Sequence, residues 1–120
     1  MPAERREHIE AWLGDRLERE IRVPDLSAHG LDFRGARLLV VDGKPVGQLL
    51  YNKPDRPHRP LALCIAVDGA GDAAMRTEVR EGVTLATWRR QGYIYVLAGW
   101  LDKAALSGLI AELAPTLDRG

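Results

Sequence analysis

The stretch "GVTLATWRRQGYIYVLAG", residues 82–99, decides the fold of this chain. β-Branched and aromatic residues are frequent in it, which favours strands over helix. The Gln91-Gly92 pair in its middle favours a tight hairpin turn. We therefore predict two paired strands, at Val83–Arg89 and Tyr93–Ala98.

Both faces of this hairpin are largely apolar. Successive side chains of a strand point to opposite faces, and the two sets in the second strand are Tyr93, Tyr95 and Leu97 on one side, and Ile94, Val96 and Ala98 on the other. A strand that is apolar on both sides is covered on both sides, or covered on one side and offered to a partner on the other. The sequence leaves these two alternatives open.

The region before the hairpin also has strand character. Residues 31–41, "LDFRGARLLVV", predict two short strands or one bent strand with Gly35 at the join. The Asp42-Gly43 pair that follows predicts a hairpin turn into a strand at about Val46–Tyr51. The turn residues therefore indicate neighbouring antiparallel strands.

The segments between these elements predict two more strands and two loops. Residues 61–67, "LALCIAV", predict a buried strand, and a further strand is predicted at Arg76–Arg80. Residues 52–60, "NKPDRPHRP", predict a loop, because their three prolines lack the N–H groups that a central strand donates. Residues 70–75, "AGDAAM", predict a flexible surface loop.

A helix is predicted at each end of the chain. At the N-terminal end, the helical spacing of apolar residues is carried by Ile9, Trp12, Leu13 and Leu17. At the C-terminal end, Asp102 is a predicted N-cap and Pro115 a predicted stop, and the apolar face between them consists of Leu106, Leu109, Ile110 and Leu113. The expected fold class is α+β: an antiparallel β-sheet of about five to seven strands with an N-terminal and a C-terminal helix packed against it.

Length and composition indicate one ordinary globular domain. The chain has 120 residues, which we assign to a single domain with residues 1–8 as a linker-like start. Its 17 Lys+Arg balance 17 Asp+Glu, so the overall charge favours neither nucleic acid nor an anionic membrane as a partner. Signal peptides and membrane-spanning runs are absent from the sequence as given, which predicts a soluble chain.

No pattern of residues predicts catalysis, a metal site or a bound cofactor. The possible ligands His8, His29, His58 and Cys64 are scattered and match no zinc-binding spacing. A thiol with a nearby imidazole can act as a nucleophile, which keeps an enzyme based on Cys64 and His58 as a hypothesis. However, an apolar strand around Cys64 indicates a small buried side chain instead. We therefore expect no enzymatic activity.

The aromatic residues supply the candidate functional surface. One interpretation is that they fill the core between the sheet and the helices, since aromatic side chains bury large areas. The other is a contact surface or a ligand cleft between sheet and helix. The candidate residues for that contact or ligand surface are Tyr51, Trp88, Arg89, Tyr93 and Tyr95.

The order of these motifs resembles the extracytoplasmic C-terminal domain of bacterial transmembrane anti-sigma factors. The likeness covers about Ile9–Leu113, and each motif by itself is of low specificity. The positions that match the family pattern are Trp12, Leu13, Arg16 and Leu17; Pro24, Asp25, Leu26, Gly30, Gly35, Arg37 and Leu38; Gln48, Leu49 and Tyr51; and Trp88, Gly92, Tyr93, Tyr95, Leu97 and Gly99.

The resemblance implies a regulatory domain on the periplasmic side of the inner membrane. In such a parent protein, a transmembrane helix joins the domain to a cytoplasmic part that sequesters an alternative sigma factor. The zinc-bearing helix and the membrane helix of that family are absent from this sequence, so we expect an excised outer domain. The implied partners are a signalling protein or a protease at the membrane, with the sigma factor bound only through the missing part. A homodimer is left open, and the alternative function is a small-ligand or lipid-binding module.

Overall fold

The computed structural model describes residues 6–17, 23, 26, 30–53, 56–67, 69–100 and 103–118. In chain order the elements are α1 (Arg6–Leu17), β1 (Asp32–Val41), β2 (Lys44–Lys53), β3 (Arg56–Val67), β4 (Ala73–Arg80), β5 (Val83–Arg90), β6 (Tyr93–Gly99) and α2 (Lys103–Asp118). The strands form one sheet in the order β1-β2-β3-β6-β5-β4, and every neighbouring pair is antiparallel. The predicted fold class is therefore confirmed.

Among the described residues, three tight turns join paired strands, and each ends in glycine. Both central residues of each turn have positive φ, which is the geometry of the type I′ turn and matches the twist of the strands. The central pairs are Asp42 (52°) and Gly43 (77°), Glu81 (52°) and Gly82 (84°), and Gln91 (54°) and Gly92 (84°). The two hairpins predicted at Asp42-Gly43 and Gln91-Gly92 are confirmed.

The first strand is one bent strand. Its register with β2 shifts between Phe33 and Gly35, and Gly35 has a φ of 150°. Glycine tolerates this backbone conformation because it has no Cβ. The bend changes which side chains of β1 meet each face of the sheet, so Ala36 is buried and Arg37 is exposed.

The predicted loop at residues 52–60 is wrong, because β3 begins at Arg56. The pairing of β3 with β6 starts only at Ala62, so Pro57 and Pro60 lie where β3 extends past β6. No donor is required on that side, and on the other side the register with β2 is irregular. Proline is therefore compatible with this end of an otherwise central strand.

Two other predicted boundaries are also wrong. The predicted surface loop at residues 70–75 already contains the start of β4, which begins at Ala73 and pairs there with Arg89. In addition, α2 does not stop at Pro115 but continues to Asp118. Proline so close to the end of a helix removes a single hydrogen bond from its last turn. The predicted N-cap, Asp102, lies outside the described residues.

Both helices pack on the same side of the sheet, which we call the covered face. A Cβ added to Gly47 of β2 would lie 3.1 Å from Cδ1 of Leu17, so α1 touches the sheet closely at this point. The predicted apolar faces of both helices are buried, with Trp12 only partly so. The core that they share with the sheet includes Ile9, Leu13, Leu17, Leu49, Leu63, Ile65, Ala86, Leu97, Leu106, Leu109, Ile110 and Leu113.

Candidate functional site

Most of the predicted surface aromatics lie on the covered face. Tyr51 and Tyr95 are 1% and 2% exposed. The rings of Trp88 and Tyr95 stack with centroids 5.3 Å apart and planes 13° apart, and Phe33 packs against Tyr51 at 5.4 Å. Stacked and tilted pairs of this kind stabilise a core beyond their buried area. These aromatic side chains thus act mainly in packing.

Tyr93 joins the sheet to the end of the first helix. Its hydroxyl donates a hydrogen bond of 2.6 Å to the carbonyl oxygen of Leu17. The last carbonyls of a helix have no partner within the helix, so an outside donor stabilises its end. Further back on the same helix, Glu10 accepts a hydrogen bond of 2.6 Å from the backbone N–H of Val23. This part of the chain is thus fastened to the covered face.

Arg89 points to the opposite side of the sheet from the aromatics. The five candidate residues therefore do not form one accessible surface. Two of them, Trp88 and Arg89, meet at a shallow depression where the register of β4 shifts. This depression has a volume of about 380 Å³ and is also lined by Asp72, Ala73, Ala74, Met75, Arg90 and Ile110.

The other side of the sheet, which we call the open face, is apolar at its centre. None of the described helices lies over it, and its apolar side chains are half-buried rather than buried. The strand registers place ten of them side by side: Leu39, Val46, Leu50, Ala62, Cys64, Ala66, Leu85, Ile94, Val96 and Ala98. For a sheet, an apolar face of this width is a recognised feature of a contact surface.

A trough runs along the middle of the open face. Its floor is the outer side of β3, where the side chains are the small Ala62, Cys64 and Ala66. Larger side chains of the neighbouring strands flank this floor, with Val46 and Leu50 on the β2 side and Ile94 and Val96 on the β6 side. Neighbouring strands lie about 4.8 Å apart, so the backbones of β2 and β6 are roughly 10 Å apart, and the gap between their side chains is narrower.

A row of polar groups extends from the β1 edge to the floor of the trough. Nε of Arg37 donates a 2.6 Å hydrogen bond to Oε1 of Gln48, and Nε2 of Gln48 lies 3.7 Å from Sγ of Cys64. These three residues occupy paired positions on β1, β2 and β3, so the row follows directly from the register. It orients the guanidinium of Arg37 towards the centre of the open face.

Burial disfavours the thiolate form of Cys64. Burial raises the pKa of its thiol above the ordinary value of 9.0, and the hydrogen bond from Gln48 and the charge of Arg37 oppose that shift. A reactive cysteine requires a lowered pKa, because the thiolate is the attacking form. The side chain of His58, the predicted partner, lies outside the described residues. The geometry around Cys64 thus supports packing and contact rather than thiol chemistry.

Basic side chains border the open face on both edges. On β1 and β2 they are Arg37 and Lys44, and on β4 and β5 they are Arg76, Arg80 and Arg89. Arg76, Arg80 and Arg89 line a groove of about 520 Å³ together with Thr77, Glu78, Leu85 and Thr87, and we call it the arginine groove. Within it Arg80 forms an ion pair with Glu78.

The described part of the chain contains no group of three or more His, Cys, Asp or Glu side chains that could hold a metal ion. Among the same residues, no helix has the length and apolarity required to cross a membrane.

Of the five candidate residues Arg89 borders the open face, and sequence reasoning did not predict the other residues of this surface. The useful signal was the alternation of small and large apolar residues in "LALCIAV" and "YIYVLAG", residues 61–67 and 93–99. It shows that both sides of β3 and β6 are apolar, but not which side the helices cover. The large aromatic candidates lie on the covered face, whereas the open face consists mostly of smaller residues.

Comparisons with known proteins do not identify a relative. No protein-family model matches the sequence, and neither curated proteins nor solved structures give a match. The resemblance over residues 9–113 stays a prediction.

Proposed function

We propose that this domain is a non-catalytic regulatory module, the extracytoplasmic part of a membrane-anchored anti-sigma factor. It takes part in signal-dependent control of transcription by an alternative sigma factor through contacts with other proteins. The observation that carries the proposal is the open face, which presents apolar side chains between two basic edges. Its support from the sequence is the ordered series of motifs between Ile9 and Leu113.

A regulatory domain of this kind needs a stable body and a surface for a partner. The covered face supplies the first, since its side chains and both helices share one core. The open face supplies the second, because half-buried apolar groups gain free energy when a partner removes them from water. Neither role requires a nucleophile, a metal ion or a cofactor.

The test is genetic and uses the bacterium that carries the gene. The coding region of the domain is deleted in one strain, and in another the chain is overproduced with a signal peptide that exports it to the periplasm. RNA sequencing should then show a several-fold change in one coherent set of genes under an alternative sigma factor. An unchanged transcript profile in both strains would contradict the proposal.

A second candidate function is the binding of a small apolar ligand or lipid. It is favoured by the depression of about 380 Å³ beside Trp88, to which Met75 and Ile110 contribute apolar surface. Such a site predicts saturable quenching of tryptophan fluorescence by a fatty acid, and loss of this quenching in Trp88→Phe. Because the chain has three tryptophans, the variant separates Trp88 from the others. Quenching that persists in the variant would place the ligand elsewhere.

A further inference from the structure

We infer that the open face binds an amphipathic protein helix with acidic flanks, seated in the trough over β3. The inference rests on the proposed function, because both require the open face to contact a protein. It also deepens that function. It adds the shape of the partner segment, its charge and its position on the sheet.

The shape of the trough fits a helix. A helix with its side chains is about 10–12 Å across, so it would rest on the flanking side chains of β2 and β6, whose backbones are roughly 10 Å apart, and direct its apolar side chains into the trough. The small floor residues Ala62, Cys64 and Ala66 leave space for the apolar side chains of the helix. The flanking Val46 and Ile94 can then contact it from both sides. The two described helices already pack against this sheet from the other side.

The charges fit acidic flanks. Arg37 lies on one side of the trough and Arg89 on the other, each on the second strand from β3. Arg76 and Arg80 extend the basic edge beyond Arg89. A helix in the trough therefore has basic groups along both of its sides. Glutamate side chains on those sides would form charge-assisted hydrogen bonds with the guanidinium groups.

The acidic residues of this face do not cancel the basic edges. Glu78 and Arg80 neutralise each other in an ion pair, which leaves Arg37, Lys44, Arg76 and Arg89 against Asp32 at the far end of β1. Because the chain has a formal net charge of zero, a basic surplus on one face leaves an acidic surplus elsewhere. The partner is thus selected by the charge of this face rather than by the charge of the whole chain.

The same charges disfavour a symmetric dimer through the open face. A two-fold axis along the strands places the β1 edge of one copy over the β4 edge of the other. An axis across the strands places each edge over itself. Both arrangements bring Arg37, or Arg76 and Arg80, close to further arginines, and like charges in an interface lower its stability.

A flat anionic membrane is also a poorer fit than a helix. The apolar centre of the face is recessed, and its side chains are half-buried. Among the large hydrophobic side chains that are most exposed, Val40 points to the covered side of the sheet, and Val41 lies on the open face only at its corner, beside Lys44. Membrane binding relies on apolar groups that project into the lipid. A recessed floor favours a rod-shaped partner.

The test uses the full chain and a designed peptide. The peptide has about 18 residues, with leucine and alanine on one helical face and glutamate on both flanks, and it carries a fluorophore for anisotropy. A peptide of the same composition in scrambled order is the control. We expect saturable binding of the amphipathic peptide, at least tenfold tighter than that of the scrambled one. Binding should also slow the modification of Cys64, the single cysteine of the chain, at least tenfold.

Matched variants locate the binding site. Arg76→Glu should weaken binding at least tenfold, whereas Arg16→Glu, on the exposed side of α1, should change it less than twofold. Ala66→Glu places an acidic group in the trough, and Ala111→Glu places the same group on the outer side of α2. Only Ala66→Glu should abolish binding. Circular dichroism checks that each variant is folded. If Ala66→Glu does not fold, Arg76→Glu still tests the binding site.

Every other outcome overturns the inference. Equal binding of both peptides would mean attraction by charge alone, and no binding would exclude an acidic helix. Protection of Cys64 by vesicles containing anionic lipid, without protection by the peptide, would assign the face to a membrane. Protection that depends on protein concentration, with a dimer in light scattering, would assign it to a second copy.

The transcript experiment separates this inference from the proposed function. If overproduced wild-type chain changes the set of genes and Arg76→Glu abolishes that change, both stand. If Arg76→Glu and Ala66→Glu act like wild type, the regulatory function stands and the inference about the open face is wrong. If wild type has no effect while the peptide still binds, the regulatory function is wrong and the binding site stands.

Discussion

The two faces of the sheet consist of the same strands but differ in packing and charge. In β3, Leu63 and Ile65 point to the covered face and are at most 1% exposed, whereas Cys64 between them stays half-buried on the open face. The covered face has large side chains that interlock with two helices. The open face has small or medium ones and basic edges. Every second residue of a strand can thus pack in a core, while the residues between them form a contact surface on the other face.

Truncation should separate the faces most strongly. Leu63→Ala leaves a cavity between the sheet and the helices and should lower the free energy of unfolding by about 2–5 kcal/mol. Cys64→Ala, the adjacent change on the open face, should cost less than about 1 kcal/mol. Urea denaturation followed by circular dichroism measures both. Equal losses would show that the open face is packed as tightly as the core.

Enlargement of a side chain should have the next largest effect. Ala86→Leu adds volume at a fully buried position and should cost about 1–3 kcal/mol. Ala66→Leu, the same change on the open face, should alter stability by less than about 0.5 kcal/mol, because its side chain can extend into solvent. Thermal unfolding compares the two variants. A strongly destabilised Ala66→Leu would indicate a hidden covering element.

Removal of single hydrogen bonds should give a smaller difference. Tyr93→Phe takes the donor from the carbonyl of Leu17 and should cost about 0.5–1.5 kcal/mol. Arg37→Met breaks the bond to Gln48 at the exposed edge and should cost less than about 0.5 kcal/mol. Urea denaturation at one pH serves for both. A larger loss of stability in Arg37→Met than in Tyr93→Phe would contradict the difference between the two faces.

The smallest expected effect is a shift in the pH dependence of the alkylation rate of Cys64. Since its pKa is raised in the folded chain, its alkylation by iodoacetamide should begin to accelerate at a higher pH than that of the urea-unfolded chain. The raised pKa also means that this group contributes stability below its ordinary pKa and loses it as the pH rises further. Rates from pH 7 to 10 measure the first effect. Coincident profiles would contradict the burial of the thiol.

The sequence predicts the architecture better than the surface. Asp42-Gly43 and Gln91-Gly92 determine their turns locally, because few residue pairs adopt positive φ twice in succession. The apolar spacing of both helices is also a local signal. In contrast, the errors at Pro57 and Pro115 arise from context. Pro57 lies where β3 extends past the end of β6, and Pro115 lies in the last turn of α2.

The candidate surface could not be predicted because it depends on two choices that are not local. One is the side of the sheet on which the helices pack, which decides that Tyr95 is buried and Val96 is not. The other is the strand order, which places Arg37 and Arg89 on opposite sides of β3. Large aromatic residues are common at contact sites, but in this domain they are buried in the core.

The most direct test of the two-face account compares thiols on neighbouring residues of β3. One protein keeps Cys64 on the open face, and the other carries Cys64→Ala together with Ile65→Cys on the covered face. In a monomer, we predict that a small thiol reagent modifies Cys64 in the native state, at a rate that low urea concentrations do not change. The cysteine at position 65 should react only through unfolding, with a rate that rises steeply with urea. If both thiols react only through unfolding, the open face is covered and the account is contradicted.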